Sequence, residues 1–247
     1  MNYLIPCAGL GKRFNSPVPK PLINVNGSYM IELVIKNLNQ EKSDKFILCI
    51  LKEHEEKFSI SKKIINLQLP CRVEFYIIDG LKDGPAKTSY EAKNNINLNE
   101  ELILTNCDQV ICNYNVEKFR QYAHKYDYDG LLGTFFSRSP KNSFVKLNDF
   151  CDVTEVKEKV VLSEFASNGF HYWKKAADLF SSCEEMFEKN DRTLNEFYIA
   201  PSYNYLINKG KKIGHYFFNE HFPIGTPEDL QTYLKHSNNE KLIRNIR

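Results

Sequence analysis

A glycine-rich segment near the N-terminus carries the residue types that bind polyphosphate. It follows the short apolar run Tyr3-Leu4-Ile5 and contains Gly9 and Gly11. Because glycine has no Cβ, the backbone N–H groups of such a turn can approach a phosphate closely. The basic residues Arg13 and Lys20 supply the positive charge that such a ligand needs. The predicted cradle for the phosphates is the backbone of Ala8, Gly9, Leu10, Gly11 and Lys12.

Two nucleotide-binding patterns fit this segment less well. A dinucleotide-binding turn has the pattern G-x-G-x-x-G, but Phe14 stands where its third glycine would be. A Walker A loop cannot be laid over the segment. A structural turn with solvated basic residues is the ordinary meaning of an isolated Gly-x-Gly. The addition of Arg13 and of Pro19-Lys20-Pro21 favours a ligand-binding loop instead.

Asp108 is a second candidate for chemistry, because it comes just after the apolar run Leu102-Ile103-Leu104. A carboxylate at the end of a buried strand is well placed to hold Mg²⁺, which prefers hard oxygen ligands. Asp residues also commonly cap turns. This segment alone supports the two roles equally.

Two weaker patterns follow. The pair Glu158 and Lys159 precedes Gly169 by about ten residues, although an adjacent Glu-Lys pair is usually a solvated surface pair. Asp79 and Gly84 lie between a predicted strand and a predicted helix, where an ordinary turn is also expected.

Taken in order along the chain, these motifs resemble those of the sugar-1-phosphate nucleotidyltransferases. The loop from Leu4 to Pro21 is the most specific of them, and Gly225-Thr226-Pro227 resembles a segment near the end of the family's catalytic domain. Such enzymes join a nucleoside triphosphate to a sugar phosphate and release pyrophosphate. The resemblance implies a single-domain form without a C-terminal β-helix, and Mg²⁺ as the cofactor.

The resemblance also implies roles for the residues around the reacting phosphates. Arg13 and Lys20 would contact the β- and γ-phosphates of the nucleotide, and Asp108 would bind the metal. Glu158 would hydrogen-bond sugar hydroxyls, and Lys159 would contact the acceptor phosphate. Lys157 competes for that last role, because strand alternation would turn Lys157 and Lys159 the same way.

For the base and the sugar, the resemblance rests on two glycines and one acid. Gly169 matches a glycine in a strand of the acceptor site, and Gly84 matches a turn glycine that packs on the base. Asp79 falls near the position that reads the base edge. Because a carboxylate only accepts hydrogen bonds, Asp79 favours a base edge rich in donors, and therefore CTP or GTP.

One position departs from the family pattern. The family usually has an Asp two residues ahead of the glycine at position 225, as a second metal ligand, and here Pro223 stands in that place. Glu220 is the nearest acid. Either Glu220 replaces the missing ligand, or Asp108 and phosphate oxygens hold the ion alone, since Mg²⁺ often binds through one or two carboxylates plus phosphates.

Apolar and amphipathic runs alternate in the first half of the chain, which predicts a parallel α/β sheet. Strands are predicted at 3–6, 46–51, 73–78, 102–105 and 131–136, and helices at 30–38, 86–94 and 116–126. In such a sheet, ligands bind at the carboxyl ends of the strands. The expected fold class is a mostly parallel central sheet flanked by helices, a Rossmann-like nucleotidyltransferase fold, with a smaller β-rich acceptor-binding part.

After residue 136 the predicted strands become shorter and are joined by polar turns. They are predicted at 144–147, 153–156, 165–173 and 213–218, with helices at 176–189, 203–208 and 227–236. No linker or repeat interrupts this pattern. We therefore expect one domain over 1–236, in which 1–136 binds the nucleotide and 137–236 binds the acceptor, followed by a polar tail at 237–247.

Composition excludes several other classes of protein. The net charge is +2, from 33 basic and 31 acidic residues, so the chain lacks the basic footprint of a nucleic-acid-binding protein. The seven cysteines are scattered without a C-x-x-C, which indicates reduced thiols. No apolar run approaches the ~18 residues of a membrane span. We expect a cytoplasmic protein that binds an NTP and a sugar phosphate but neither nucleic acid nor membrane; a homo-oligomer stays open.

The expected product is an NDP-sugar, used by analogy in surface polysaccharide synthesis. Three alternatives remain at this point. A cytidylyltransferase acting on a small phospho-alcohol such as phosphocholine shares the opening loop. A catalytically silent nucleotide-sugar binding module is compatible with Pro223. A nicotinamide-dependent oxidoreductase is disfavoured by the missing third glycine and by Pro19-Lys20-Pro21.

Overall fold

The computed structural model describes residues 1–38, 41–112 and 115–246, with side chains as far as residue 237. The strands are β1 (Asn2–Pro6), β2 (Asn24–Val25), β3 (Ser28–Tyr29), β4 (Lys45–Leu51), β5 (Arg72–Ile78), β6 (Leu102–Leu104), β7 (Gln109–Ile111), β8 (Gly130–Phe136), β9 (Ser143–Leu147), β10 (Val153–Glu158), β11 (Phe165–Trp173), β12 (Ile213–Phe217) and β13 (His221–Pro223). The helices are α1 (Met30–Asn37), α2 (Lys52–Phe58), α3 (Ile60–Ile65), α4 (Pro85–Glu91), α5 (Val116–Lys125), α6 (Ala176–Glu188), α7 (Tyr203–Asn208) and α8 (Pro227–Ile246).

The main sheet has the strand order β10-β9-β11-β6-β1-β4-β5; β8 branches from β11, and β12 pairs with β8. β1 pairs in parallel with β4 and β6, and β4 pairs in parallel with β5. β11 is antiparallel to β6, β8 and β9, and β12 is parallel to β8. The sheet is thus parallel in its N-terminal half and gains antiparallel strands in the second half. This confirms the predicted fold class.

The central parallel strands are apolar on both faces because packed elements cover both of them. Along β4, Phe46 and Leu48 join one hydrophobic cluster, whereas Ile47 and Cys49 join another. This alternation is the two-residue period of a strand. On β1 the same period stacks Tyr3 on Phe46, with ring centroids 4.3 Å apart. Packing on both faces therefore fixes the carboxyl end of β1, from which the glycine loop leaves.

Most predicted helices lie where the sequence indicates, within one residue for α1, α5, α6 and α7. The sequence missed α2, because Lys52–Phe58 is mostly charged and buries no residue, and it missed α3, because the six residues of Ile60–Ile65 are too few for a clear helical period. The last helix continues past the predicted 227–236 to Ile246, so the expected polar tail is helical, and residue 247 lies outside the described residues. Over the described part of the chain, no helix has both the length and the apolar character needed to cross a membrane.

Two three-residue strands that the sequence did not predict form a ribbon beside the main sheet. β13 pairs with β7 in antiparallel register, with Pro223 opposite Gln109. The N–H of Ile224 extends the ladder by donating to the carbonyl of Asp108 at 2.8 Å. The ribbon therefore brings the chain just before α8 to the end of β6, although the two segments are far apart in sequence.

Candidate active site

A cavity of about 700 Å³ opens at the carboxyl ends of β1 and β6. This is the edge at which open α/β sheets bind ligands, and the volume falls within the roughly 300–1,000 Å³ of small-molecule sites. The cavity brings together these predicted site residues: Gly9, Gly11, Arg13, Lys20, Asp108, Glu158, Lys159 and Gly169. We call Gly9, Gly11, Arg13 and Lys20 the loop wall. We call Ser143, Glu158, Lys159 and Tyr198 the acceptor wall.

The loop wall depends on the backbone conformation of Gly11. Its φ is +63°, a left-handed value that favours glycine. The Phe14 N–H donates to the Gly11 carbonyl at 2.9 Å and closes the turn that presents Arg13 to the cavity. At Gly9, nothing lies within 4 Å of where a Cβ would stand. The loop surface at Gly9 therefore has room for a ligand to approach the backbone.

The other residues of the predicted cradle lie beside the cavity and outside its lining. Ala8 is buried under the loop, whereas Leu10 is exposed. Lys12 is the first residue of the short turn Lys12–Phe14. Contact between the backbone of these residues and a phosphate stays a prediction.

Lys20 and Asp108 form an ion pair in the cavity. Lys20 Nζ lies 2.6 Å from Asp108 Oδ2, and only 13% and 17% of the two side chains are exposed. Burial lowers the pKa of Lys20, but the neighbouring Asp108 carboxylate outweighs it, so the net pKa of Lys20 is raised. Lys20 is therefore a positioned cation at neutral pH.

Gly225 leaves the space in which this ion pair forms. A Cβ at position 225 would lie 2.4 Å from Asp108 Oδ2 and 3.6 Å from Lys20 Nζ. The predicted Gly-Thr-Pro segment therefore packs directly on Asp108. The requirement for glycine at this position is steric.

The donor set around Asp108 fits Mg²⁺. A carboxylate has two oxygens and about four lone-pair sites, so the contact with Lys20 uses only part of its capacity. Asp229, in the first turn of α8, also lines the cavity and adds another carboxylate. One or two carboxylates together with phosphate oxygens are the usual ligands of Mg²⁺ in such sites.

Glu220, the predicted substitute for the missing metal ligand, does not lie in the cavity lining. It precedes β13, and its carbonyl accepts a hydrogen bond from the N–H of Cys112 at 3.0 Å. Four residue steps separate Cys112 from Asp108 along the extended β7, which is about 13 Å at the rise of a strand. The register of the ribbon, which places Pro223 rather than Glu220 near Asp108, explains this difference from the prediction.

The acceptor wall is a connected set of polar contacts. Lys159 Nζ lies 3.6 Å from a Glu158 oxygen and 3.9 Å from the centroid of the Tyr198 ring, and it also donates to the Tyr198 hydroxyl. The Ser143 hydroxyl donates to Glu158. Burial raises the pKa of Glu158, and the contacts with Ser143 and Lys159 offset this only in part. The wall therefore presents both a cation and a buried carboxylate.

Of the two competing lysines, only Lys159 lines the cavity. Lys157 is half-exposed and pairs with Glu155 at 3.0 Å. β10 ends at Glu158, and Lys159 has φ +58°, a value uncommon for a residue other than glycine. This left-handed turn ends the strand alternation that predicted a common direction for the two lysines.

Gly169 lies at a bulge of β11, where the register with β8 shifts between Ser167 and His171. Its φ is +79°, and a Cβ there would lie 2.1 Å from Nδ2 of Asn106, another residue of the cavity lining. Gly169 thus makes room for the Asn106 amide. Its predicted contact with the acceptor stays a prediction.

Gly84 positions the segment that carries Tyr198. Its φ is +103°, and a Cβ there would lie 2.6 Å from the carbonyl oxygen of Phe197. The Phe197 N–H donates to the Asp83 carbonyl at 2.8 Å, and the Ala86 N–H donates to the Phe197 carbonyl at 3.0 Å. Gly84 itself lies outside the cavity lining, and its tight backbone contact helps to build the acceptor wall.

Asp79, predicted to read the base, lies away from the cavity lining. Its side chain is 91% exposed, with Lys52 Nζ 3.8 Å from Asp79 Oδ1. This placement gives no support to the choice of CTP or GTP that rested on Asp79.

The sequence did not predict several residues of the cavity lining, because they come from segments without a regular apolar pattern. They are Asn106, Lys141, Asn168, Glu196, Tyr198, His221 and Asp229. The Tyr198 hydroxyl donates to Glu196 at 2.6 Å. An acid and an aromatic residue in a segment without apolar periodicity were the only signal for this pair, and that signal is weak.

Two histidines also line the cavity, the buried His171 and the half-buried His221. Burial lowers the pKa of His171 to about 3 and that of His221 to about 4. His221 Nε2 lies 3.1 Å from the side-chain oxygen of Gln109. Both rings are therefore neutral near pH 7, and lysine and arginine side chains provide the positive charge of the described lining.

Known proteins share this fold. The structure matches that of the nucleoside-diphosphate-sugar pyrophosphorylase from Vibrio cholerae RC9 with a TM-score of 0.83 and 22% identity, covering 94% of this chain and 99% of that one. The chain is 26% identical over 244 residues to the bifunctional protein GlmU of Thermodesulfovibrio yellowstonii, covering 93% of this chain and 48% of that protein. It is 32% identical over 126 residues to a probable UDP-N-acetylglucosamine pyrophosphorylase of Acanthamoeba polyphaga mimivirus, covering 51% of this chain and 46% of that protein. The chain spans about half the length of these two curated relatives.

The fold and the site together define an α/β protein with a cation-lined cavity at the ends of its parallel strands. The profile of the Nucleotidyl transferase family matches residues 5–239, and the chain belongs to that family. The family resemblance found in the glycine loop and the later motifs is thereby confirmed.

Proposed function

We propose that the protein transfers a nucleotidyl group from an NTP to a sugar 1-phosphate, giving an NDP-sugar and pyrophosphate. The observation that carries this proposal is that one cavity has cations on two walls, Arg13 and Lys20 on the loop wall and Lys159 on the acceptor wall. Both substrates of such a reaction are polyanions, so their mutual repulsion must be cancelled in two places.

In the proposed reaction, an oxygen of the acceptor phosphate attacks the α-phosphorus of the NTP. A new P–O bond forms, the bond from the α-phosphorus to the oxygen that bridges to the β-phosphate breaks, and pyrophosphate leaves. The attacking oxygen is already ionised near neutral pH, so no general base is required. Arg13 and Lys20 would neutralise the β- and γ-phosphates, and Lys159 would orient the acceptor phosphate.

Asp108 is the residue proposed to hold Mg²⁺, with Asp229 as the further carboxylate of the lining. The ion would supply polarisation of the phosphoryl oxygens. We expect Asp108→Asn to remove activation by Mg²⁺ while nucleotide binding stays detectable by calorimetry. A wild-type Mg²⁺ activation curve for Asp108→Asn would contradict the assignment.

The nucleotide and the acceptor are open to direct test. The name of one matched protein, the probable UDP-N-acetylglucosamine pyrophosphorylase, contains a uridine nucleotide, and Asp79 gives no reason to prefer CTP or GTP, so UTP is the first NTP to try. Glu158, next to Lys159, would accept hydrogen bonds from sugar hydroxyls. We propose cytoplasmic production of an activated sugar for surface polysaccharide, by analogy with the use of such products.

The decisive experiment is a pyrophosphate-release assay over the four NTPs, with several sugar 1-phosphates and with phosphocholine. Turnover with a sugar 1-phosphate is the expected result. Turnover with phosphocholine and CTP alone would replace the sugar by a phospho-alcohol. Tight binding of NDP-sugars without any pyrophosphate release would identify a binding module and overturn the proposed reaction.

A further inference from the structure

A second group of polar side chains lies at the end of the β7–β13 ribbon remote from Asp108. Cys112 follows β7, Glu220 precedes β13, and His236 lies on α8. One potential ligand atom from each residue lies within 4.8 Å of the other two, and all three residues are half-buried. Three distant parts of the chain thus converge, and none of the three residues belongs to the cavity lining.

We propose that Cys112, Glu220 and His236 form a Zn²⁺ site. A thiolate and an imidazole are ligands that select zinc over Mg²⁺, which prefers a set of oxygens. Three protein ligands and one water would complete the tetrahedral coordination of the ion. The proposal concerns a site separate from the cavity and does not depend on the proposed function.

The geometry is within reach of zinc coordination. Bonds of about 2.0–2.3 Å at tetrahedral angles place ligand atoms roughly 3.3–3.8 Å apart. The three atoms already lie within 4.8 Å of one another, so closure needs movements of about 1 Å. Rotation of the side chains supplies such movements while the backbone stays in place. The backbone is held by the ribbon and by the hydrogen bond from the Cys112 N–H to the Glu220 carbonyl at 3.0 Å.

Packing around the site gives it a structural consequence. The His236 ring lies on Phe222 of β13 with centroids 4.5 Å apart, and the Tyr233 ring lies 5.9 Å from the same ring. A bound ion would join α8 to the ribbon at this contact. The same ribbon continues to Asp108, and the first turn of α8 carries Asp229, so zinc would stabilise the elements that border the cavity from a distance of about 13 Å.

The test is metal titration of protein first stripped with a chelator. We expect one equivalent of Zn²⁺ to bind, to raise the melting temperature, and to remain bound in excess Mg²⁺. Co²⁺ should give the near-ultraviolet absorption of a thiolate ligand. Cys112→Ser should lower zinc affinity at least ~100-fold, since even loss of a group that only supports a ligand costs 10- to 100-fold. Glu220→Gln is the second variant, nearly isosteric, should Cys112→Ser fold poorly.

Two controls separate this site from others. Cys151→Ser removes an exposed thiol elsewhere and should leave zinc binding unchanged. Asp108→Asn should also retain it, which distinguishes the ribbon site from the cavity. Absence of stoichiometric binding, wild-type affinity in both Cys112→Ser and Glu220→Gln, or loss of binding in Asp108→Asn would each overturn the proposal.

Discussion

The loop wall and the acceptor wall of the cavity are built in different ways. The four residues of the loop wall come from one short stretch, Gly9 to Lys20, that leaves a single buried strand. The acceptor wall joins the start of β9, the end of β10 and the segment around Tyr198. One wall is therefore local in sequence, whereas the other exists only when several elements have packed together.

The two walls also differ in how their charges are held. On the loop wall, Lys20 pairs closely with Asp108 at 2.6 Å. On the acceptor wall, Lys159 is shared between Glu158 and Tyr198, and the pKa of Glu158 is raised by burial. Under the proposed function, this difference suits the loop wall to a highly charged group and the acceptor wall to a ligand recognised by both charge and hydrogen bonding.

The largest effect is expected on the loop wall. Arg13→Ala and Lys20→Ala should each lower kcat for pyrophosphate release by at least ~10²-fold, as loss of a preorganised charge-stabilising donor does. Circular dichroism should show an intact fold, because both side chains border a cavity rather than a hydrophobic core. Turnover close to wild type in either purified variant would remove that residue from the loop wall.

A smaller and more selective effect is expected on the acceptor wall. Lys159→Ala should raise the KM for the acceptor by roughly 10- to 150-fold, the equivalent of about 1.5–3 kcal/mol for a hydrogen bond to a charged group. The KM for the NTP should change little. Steady-state kinetics with each substrate varied in turn provides the measurement.

Lys157→Ala is the matched control, since Lys157 lies on β10, two residues before Lys159, but pairs with Glu155 outside the cavity lining. It should behave as wild type. If Lys157→Ala impairs the acceptor and Lys159→Ala does not, Lys157 takes the phosphate role. If Lys159→Ala instead weakens NTP binding, the division into two walls is wrong.

Tyr198→Phe should have a still smaller effect on the KM for the acceptor, and it tests how the acceptor wall holds Lys159. The variant keeps the ring under Lys159 but loses the hydroxyl that donates to Glu196 at 2.6 Å. A net loss of about 0.5–1.5 kcal/mol corresponds to a roughly 2- to 12-fold higher KM for the acceptor. Tyr198→Leu, which also removes the ring, should be worse. Kinetics equal to those of the wild type in both variants would mean that Tyr198 does not position Lys159.

Replacement of His171 should have the smallest effect on activity at neutral pH, but it should have a distinct effect on stability. Burial lowers its pKa from the ordinary 6.5 to about 3, so the unfolded chain binds the proton more readily. The free energy of unfolding should therefore fall as the pH drops from 6.5 towards 3, by up to about 1.4 kcal/mol per pH unit. Urea unfolding at several pH values measures this slope.

His171→Phe should flatten that slope, because phenylalanine has no proton to gain and suits the aromatic contacts with Trp173 and Tyr203. A residual slope is expected from His221, whose pKa is also lowered by burial, to about 4. An unchanged slope in His171→Phe would show that other groups control the acid sensitivity.

Sequence patterns were sufficient to predict the cavity residues that lie together within one short segment of the chain. The run from Tyr3 to Lys20 encodes a buried strand, a left-handed glycine at position 11 and the cations beyond it, so the loop wall could be predicted from neighbouring residues. The end of β6 at Leu104 likewise indicated where Asp108 would lie. The order of the motifs was enough to identify the family that the profile confirms.

Only the tertiary structure decided the pairings made at long range. The three-residue strands β7 and β13 have too few residues for a periodic signal, yet their register excludes Glu220 from the cavity and places it with Cys112 and His236. The left-handed turn at Lys159 selects this lysine over Lys157. Side-chain direction at such points depends on hydrogen bonds between distant strands, which a local sequence pattern does not record.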